Sequence, residues 1–315
     1  HRLAPFLMSL PSDSDLWMFV ASSGGLTAGR VDAEGSLFPY RTADQLYDDH
    51  HRTGPLTLIR VTGGAQGRVL WEPFSETNDE DHEIERNLYK NVVGNRLVFE
   101  EIHNGLGLAF RHRWAGCDEF GWIRTATVLN RSGERRWIDV LDGFRNVLPF
   151  GAPLSLYQQA SNLVDAYKTS EVDPETGLGV FALTAGITDR AEALEVLRAN
   201  TVWCHGPANV RVHLKLDAVA AFRHGRVLSV DDSLHGARGN YLVSSSFDLG
   251  PDETESWHII GDVGRNHLQI ADLRRRIRDD DSLGASITRN LSQARENLRR
   301  NVGSADGIEM SGRPE

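Results

Sequence analysis

Cysteine, methionine and long apolar runs are all scarce in this chain, which has two Cys and three Met among 315 residues. Cys117 and Cys204 lie far apart and outside any CxxC or zinc spacing, so a disulfide framework is not expected and a reduced, cytoplasmic setting is. No apolar run reaches the roughly 18 residues that a bilayer requires, so no membrane-spanning helix is expected. Positive charge is also in deficit, with a net charge of -10 and a pI near 5.7. Such a surface repels phosphate backbones and anionic lipid, which argues against nucleic acid and membrane partners.

The usual signatures of chemistry are missing too. There is no GxSxG, no GxGxxG after a strand, no GxxxxGK[ST] and no HExxH. The segment SSGGLTAGR has neither the Lys nor the following helix of a phosphate loop, and it reads as a hairpin turn at Gly24-Gly25. The pairs His50-His51 and His103 with His112 lack a metal-binding spacing and a neighbouring third ligand, so no metal is expected. The run Asp79-Glu80-Asp81 lacks the alternating oxygen ligands and turn glycine of a calcium loop.

What is present is strand-like. Up to about Val263, alternating or short β-branched and aromatic runs are separated by turn signals such as Gly63-Gly64, Gly94-Asn95, Asn104-Gly105 and His224-Gly225. Residues between Asn87 and Trp114 predict a three-stranded antiparallel meander. Leu106, Leu108 and Phe110 share one face there, and Tyr241, Val243, Ser245, Phe247 and Leu249 share another. Trp137 to Phe150 is apolar on both phases, as expected of a long central strand in a two-layer sandwich. Ala191 to Asn200 reads as a short helix.

After Val263 the spacing changes to threes and fours. Ile270, Leu273 and Ile277 mark one amphipathic helix, and Leu283, Ile287, Leu291, Ala294, Leu298 and Val302 mark a second behind an Asp281-Ser282 cap. Nine Arg face five Asp or Glu between Arg265 and Arg300. That excess reads as a solvated helix face, or as a face docking on an acidic neighbour. The expected fold is therefore mainly β, a large antiparallel two-layer β-sandwich followed by two α-helices. Its expected division is a sandwich over 1–263, a helical linker over 264–303 and a loop over 304–315 where the chain breaks off.

For binding, Trp71, Glu72 and Phe74 combine aromatic faces with a carboxylate, which suits sugar rings and their hydroxyls. Glu100 and Glu101 face opposite sides of one strand and cannot act as a pair on one substrate. Glu101 and His103 share a face, and so carry the alternative of a stand-alone aldose epimerase, which needs an acid and a base in one cleft. An exposed aromatic strip around Trp71 would instead make a carbohydrate-binding module, and an exposed apolar helix face a truncated enzyme.

The opening segment resembles the start of glycoside phosphorylases of the cellobiose and chitobiose phosphorylase type. The resemblance rests on Trp17 to Val20 running into Gly24-Gly25, then Phe38-Pro39-Tyr40-Arg41, and on Leu70-Trp71-Glu72-Pro73-Phe74, where Glu72 departs from the family. RNLYKNVVGNRLVFEEIHNGLGLAFRHRW and WIRTATVLNRSGERRWIDVL continue the family style, so the likeness covers about residues 10 to 303. It is closer to a branch acting on β-1,2-glucans than to cellobiose phosphorylase itself. The resemblance implies a mutarotase-like super-sandwich that supports a downstream (α/α)₆ barrel of the same chain, and a homodimer in the full-length form. It implies inverting phosphorolysis of an oligosaccharide with inorganic phosphate as co-substrate and no other cofactor. The catalytic Asp belongs to that barrel, so no catalytic residue is carried over. Trp71, Glu72, Phe74, Tyr40 and Arg41 remain as candidate substrate contacts.

Overall fold

The Gly24-Gly25 turn forms as its sequence predicts in the computed structural model, which describes residues 5–63, 67–78, 83–187 and 195–305. It joins β2 (Leu16–Ala21) to β3 (Leu26–Arg30), and with β1 (Leu7–Leu10) these make a small three-stranded sheet of their own. Gly24 has φ of +91°, the left-handed region that suits glycine. Gly25 is needed for another reason. A Cβ there would lie 1.9 Å from the carbonyl oxygen of Leu46 in α1 (Ala43–Asp49), so the helix seats directly on the turn.

The chain then lays down β4 (Gly54–Thr62), β5 (Arg68–Trp71), β6 (Ile84–Lys90), β7 (Leu97–His103), β8 (Leu108–Cys117), β9 (Gly121–Asn130) and β10 (Arg136–Val147). Two short helices, α2 (Leu154–Gln159) and α3 (Ser161–Tyr167), precede β11 (Lys168–Val172), β12 (Gly179–Leu183), β13 (Arg198–His205) and β14 (Arg211–His213). After α4 (Asp217–Arg223) come β15 (Ser233–His235), β16 (Gly239–Leu249) and β17 (Thr254–Asn266), then α5 (His267–Asp279) and α6 (Leu283–Ala305).

Among the described residues, two large sheets result. One has the order β14-β16-β10-β4-β5, the other β15-β11-β12-β13-β17-β9-β8-β7-β6, with antiparallel pairing throughout. The expected mainly β, antiparallel two-layer fold with two terminal helices is what forms, and β6, β7 and β8 are the expected meander. One core lies between the layers. Ile59, Ile138, Val140, Phe144 and Val243 from one sheet meet Phe110, Trp114, Trp122, Val128 and Trp257 from the other.

The outer faces are covered as well. Leu58, Leu141 and Leu242 on the back of the five-stranded sheet pack against Ala218, Val219 and Phe222 of α4. That is why β10 is apolar on both phases. On the back of the nine-stranded sheet, Ala115, Ile123, Trp203 and Ile260 take Leu273, Leu283, Ile287, Leu291 and Ala294 from α5 and α6. The apolar stripe is therefore laid on the sandwich, and the exposed helix face set as the mark of a truncated enzyme is not seen among the described residues. The arginines of α5 are spent in the same way, since Arg274 pairs with Asp173 and Glu175 and Arg276 pairs with Glu119.

Several local expectations are corrected. Helices α1 to α4 interrupt a stretch that the sequence gives to strands. The expected helix over Ala191 to Asn200 ends in strand, because Arg198 begins β13 and pairs with β17; residues 191–194 lie outside the described residues. Residues 304 and 305 continue α6 rather than forming a loop, and 306–315 lie outside the described residues. Ser282 directly precedes α6, as expected, and its carbonyl accepts from the Ser286 N–H, while its own N–H and hydroxyl donate to the Asp280 carboxylate. Gly64 and the Asp79-Glu80-Asp81 run also lie outside the described residues.

The sheets are tied by a polar bridge inside the core. Arg124 on β9 donates to both carboxylate oxygens of Asp142 on β10, at 2.7 and 2.8 Å. Trp257 Nε1 of β17 donates to the same carboxylate at 2.7 Å, and Thr57 of β4 both donates to Asp142 and accepts from Arg124. Asp142→Ala is expected to cost about 3–5 kcal/mol, because it strands a buried guanidinium. Arg124→Met with Asp142→Leu is expected to recover much of that loss, and urea unfolding of the single and double variants measures both.

Behind β17, on the other face of that sheet, His258 is pushed from 6.5 down to about 4, chiefly by burial and then by the nearby His205 and Arg113. The unfolded chain takes up this proton near 6.5 and the folded protein does so only near 4. Stability from this group is therefore full above the higher value and is lost as pH falls through that window. His258→Gln is expected to flatten the fall in urea midpoint between pH 7 and about 4.5, measured against the parent chain.

Candidate functional site

Three inner-facing polar residues open a cleft at one end of the core. In β7, β8 and β9 the residues of one phase point inward, and alongside Leu97, Phe110 and Trp122 that phase carries Phe99, Glu101, His112 and Arg124. Where apolar side chains give way to these, the layers enclose a cavity of about 670 Å³. Phe99, His112 and Arg124 line it from the nine-stranded sheet, and Pro55, Leu56 and Thr57 of β4 from the other. Its rim is built from the β2–β3 turn at Ser22, Ser23 and Gly24, from His50 and His51 after α1, and from residues 72–77 after β5.

Two buried anchors hold this rim. Glu101 is wholly buried and accepts hydrogen bonds from Trp71 Nε1, the Phe74 N–H, Asn78 Nδ2 and Arg86 Nε, at 2.7 to 3.0 Å. It fixes the 72–78 segment. Arg145, at the end of β10, donates to the carbonyls of His50, His51 and Pro55 and so fixes the opposite side. Arg223, at the end of α4, closes the third side through a two-pronged pair with Glu72, both bonds at 2.7 Å.

Charge here is matched pair by pair, with one exception inside. Arg86 pairs with Glu101, Arg124 with Asp142, and Arg223 with Glu72. Arg145 is 8% exposed and has no carboxylate partner among the described residues. Burial, and then the nearby charge of Arg223, pushes its guanidinium down to about 10, so it remains a cation at neutral pH. Buried polar atoms around it are also left over: Ser23 Oγ, His112 Nδ1, Arg124 Nε and Arg145 Nε have no hydrogen-bond partner among the described residues. Burial, followed by the charge of Arg124, holds His112 well below 6.5 and neutral.

The sequence candidates divide. Glu72 and Phe74 line the cavity, and Trp71 stands behind its wall at 2% exposure with its N–H spent on Glu101, so it offers no stacking face. Tyr40 and Arg41 do not line it. Tyr40 packs edge-on against Trp17, and Arg41 pairs with Asp49. His103 lies edge-on to Trp71, away from any pairing with His112 as metal ligands. His50 and His51 do acquire the third ligand that their sequence neighbourhood lacks, because Glu76, on a 3₁₀ turn at Glu76–Asn78, comes up beside them. Sequence reasoning missed Arg124, Arg145 and Arg223 entirely, and met His112 only as a discarded metal partner of His103. The available signal was a charge or imidazole on the apolar phase of a strand, as in Arg124 within GWIRTATV.

Comparisons with known proteins add the following. No protein-family model and no curated protein matches the chain. Among solved structures it is similar to a candidate aldose 1-epimerase of Escherichia coli K12, at 12% identity and a TM-score of 0.43 over 82% of this chain and 99% of that one. It is similar to a GalM/aldose epimerase homologue from C. elegans, at 10% identity and a TM-score of 0.43 over 82% and 98%. A galactose mutarotase-like protein from Clostridium acetobutylicum matches at 10% identity and a TM-score of 0.36 over 83% and 98%. These scores all fall below 0.5, so the site is read from its own geometry.

The anchoring role of Glu101 gives a direct expectation. Glu101→Gln places an amide among four donors, removing a charge with which Arg86 pairs and leaving at least one N–H unpaired. The loss is expected to be about 3 kcal/mol by urea unfolding, with the 72–78 segment becoming faster in backbone hydrogen exchange.

Proposed function

We propose that the cleft binds a saccharide carrying an anionic group, a carboxylate or a phosphate, and that the chain is the carbohydrate-binding sandwich of a carbohydrate-active enzyme. The observation that carries the reading is Arg145, a buried cation on the cavity wall whose counter-charge is not supplied by the described residues. Burying an unpaired charge is costly, and an anionic ligand group offsets that cost on binding. The saccharide part rests on the sequence resemblance and on the lining. Phe74 and Phe99 give apolar surface, and Glu72, Arg223 and Thr57 give hydrogen-bonding groups, the mixture a sugar ring uses.

The finer reading from the resemblance fits the same ligand class. In it the sandwich is a non-catalytic scaffold of a glycoside phosphorylase, next to a barrel of the same chain where oligosaccharide and inorganic phosphate react, in a homodimer. Glu72 and Phe74 are then the retained substrate contacts. The aldose epimerase reading asks for an acid and a base in one cleft, and the pair the sequence offers for it is His103 with Glu101. Glu101 is spent on four donors and His103 does not line the cavity, so that reading would have to rest on other lining groups such as His112 and Glu72.

Calorimetric titration with glucuronate, glucose 6-phosphate and glucose tests the proposal. At least one anionic sugar is expected to bind about tenfold or more tightly than glucose, with affinity falling as salt rises, and the better of the two identifies the anionic group. Arg145→Met is expected to abolish that preference while Arg145→Lys keeps part of it. Equal binding of glucose and both anionic sugars, or no binding of any, overturns the reading.

A further inference from the structure

The imidazoles of His50 and His51 stack with ring centroids 3.7 Å apart, and both turn their Nε2 atoms toward one oxygen of Glu76. The separations are 3.8 Å from His50 and 3.7 Å from His51, and the three ligand atoms all lie within 4.8 Å of one another. These gaps are too long for hydrogen bonds. They are close to the separation of about 3.4 Å between two ligand atoms that share one tetrahedral ion at bonds near 2.1 Å.

The supporting contacts are those of a ligand set. His50 Nδ1 donates its proton to the carbonyl of Tyr47 at 2.5 Å, which leaves the Nε2 lone pair free and fixes the ring. Arg145 pins the His50 and His51 carbonyls, while Glu101 and Arg86 pin the segment that carries Glu76. The two halves of the cluster are thus held from opposite sides of the cavity by separate buried groups. Glu76 needs a cation as well. Its ion-pair partners among the described residues are the two imidazoles alone.

We propose that His50, His51 and Glu76 form a binding site for a divalent transition-metal ion of the zinc type, at the mouth of the cavity, with a coordination position left for a non-protein ligand. Two imidazoles and a carboxylate suit Zn²⁺, whereas Ca²⁺ and Mg²⁺ require more oxygen ligands than the cluster offers. Two imidazoles with one carboxylate is also the composition of open rather than closed zinc sites. All three residues line the cavity, so a ligand in it is within reach of the ion.

Titration of chelator-treated protein with Zn²⁺ alone decides the matter, and it is independent of whether any saccharide binds. One ion per chain is expected at micromolar concentration, with Co²⁺ giving the visible bands of a tetrahedral site and Mg²⁺ failing to compete. His51→Ala and Glu76→Gln are each expected to weaken Zn²⁺ by about 100-fold or more, since even loss of an outer partner costs about 10- to 100-fold. Both side chains are more than half exposed, so unchanged melting in the absence of metal will confirm that the variants fold. Absence of saturable binding, or binding that survives both substitutions, overturns the proposal.

Discussion

The bridge between Arg124 and Asp142 is the contact on which the rest of the arrangement depends. It joins the middle of one sheet to the middle of the other, with Thr57 and Trp257 completing the set from two further strands. A purely apolar interior can slide by one pleat at modest cost, but a bidentate guanidinium and carboxylate in a dry core have a single satisfactory register. The bridge also sets where the apolar core ends. On one side of it Trp114, Phe144 and Trp257 fill the space between the layers, and on the other the lining turns polar and the cavity begins.

From that boundary the site follows by extension of the strands. His112 and Glu101 occupy the same inward phase as Arg124 on the next two strands, so the polar row crosses the sheet toward its edge. On β7, one strand in from the edge, Glu101 collects the loop after β5, and at the end of β10, three residues beyond Asp142, Arg145 collects the chain after α1. The rim is therefore made of loops, but its placement is decided by buried charges on strands. That combination gives loops the positional accuracy that binding needs.

Much of the fold was legible because its signals are local. The meander from Ile84 to Cys117, the central strand β10 and the two terminal helices each carry their own periodicity, and Gly24-Gly25 carries its own turn. Helices α1 to α4 were not legible, being one to two turns long with little room for a period to show; DAVAAFR in α4 reads equally as a strand end. The site was less legible still. Glu72 and Phe74 were found because they lie close together in sequence, but Trp71 beside them is the last residue of β5 and faces the core, whereas 72–77 belong to the loop that follows. The partnership of His50 and His51 with Glu76 spans a strand pair and exists only after β4 and β5 have paired, so no spacing rule could have shown it.

Charge accounting connects the two halves of the cleft. Among the described residues, three arginines pair with three carboxylates, leaving Arg145 inside and Glu76 at the mouth. These two do not meet, because the His50-His51 turn lies between them, held by Arg145 through its carbonyls and facing Glu76 with its rings. The cleft is thus polarised, with a spare positive charge at its inner end and a spare negative charge at its outer end. A ligand matching that field has an anionic group directed inward and a cation at the mouth, which is what a metal ion with an acidic sugar group bound to it supplies. In a protein of net charge -10 the inner cation works against the overall repulsion of anions, so recognition there is decided within a Debye length, about 8 Å at physiological salt. A bound anion and a bound cation attract each other, so occupancy of one end should tighten binding at the other by the same factor in both directions.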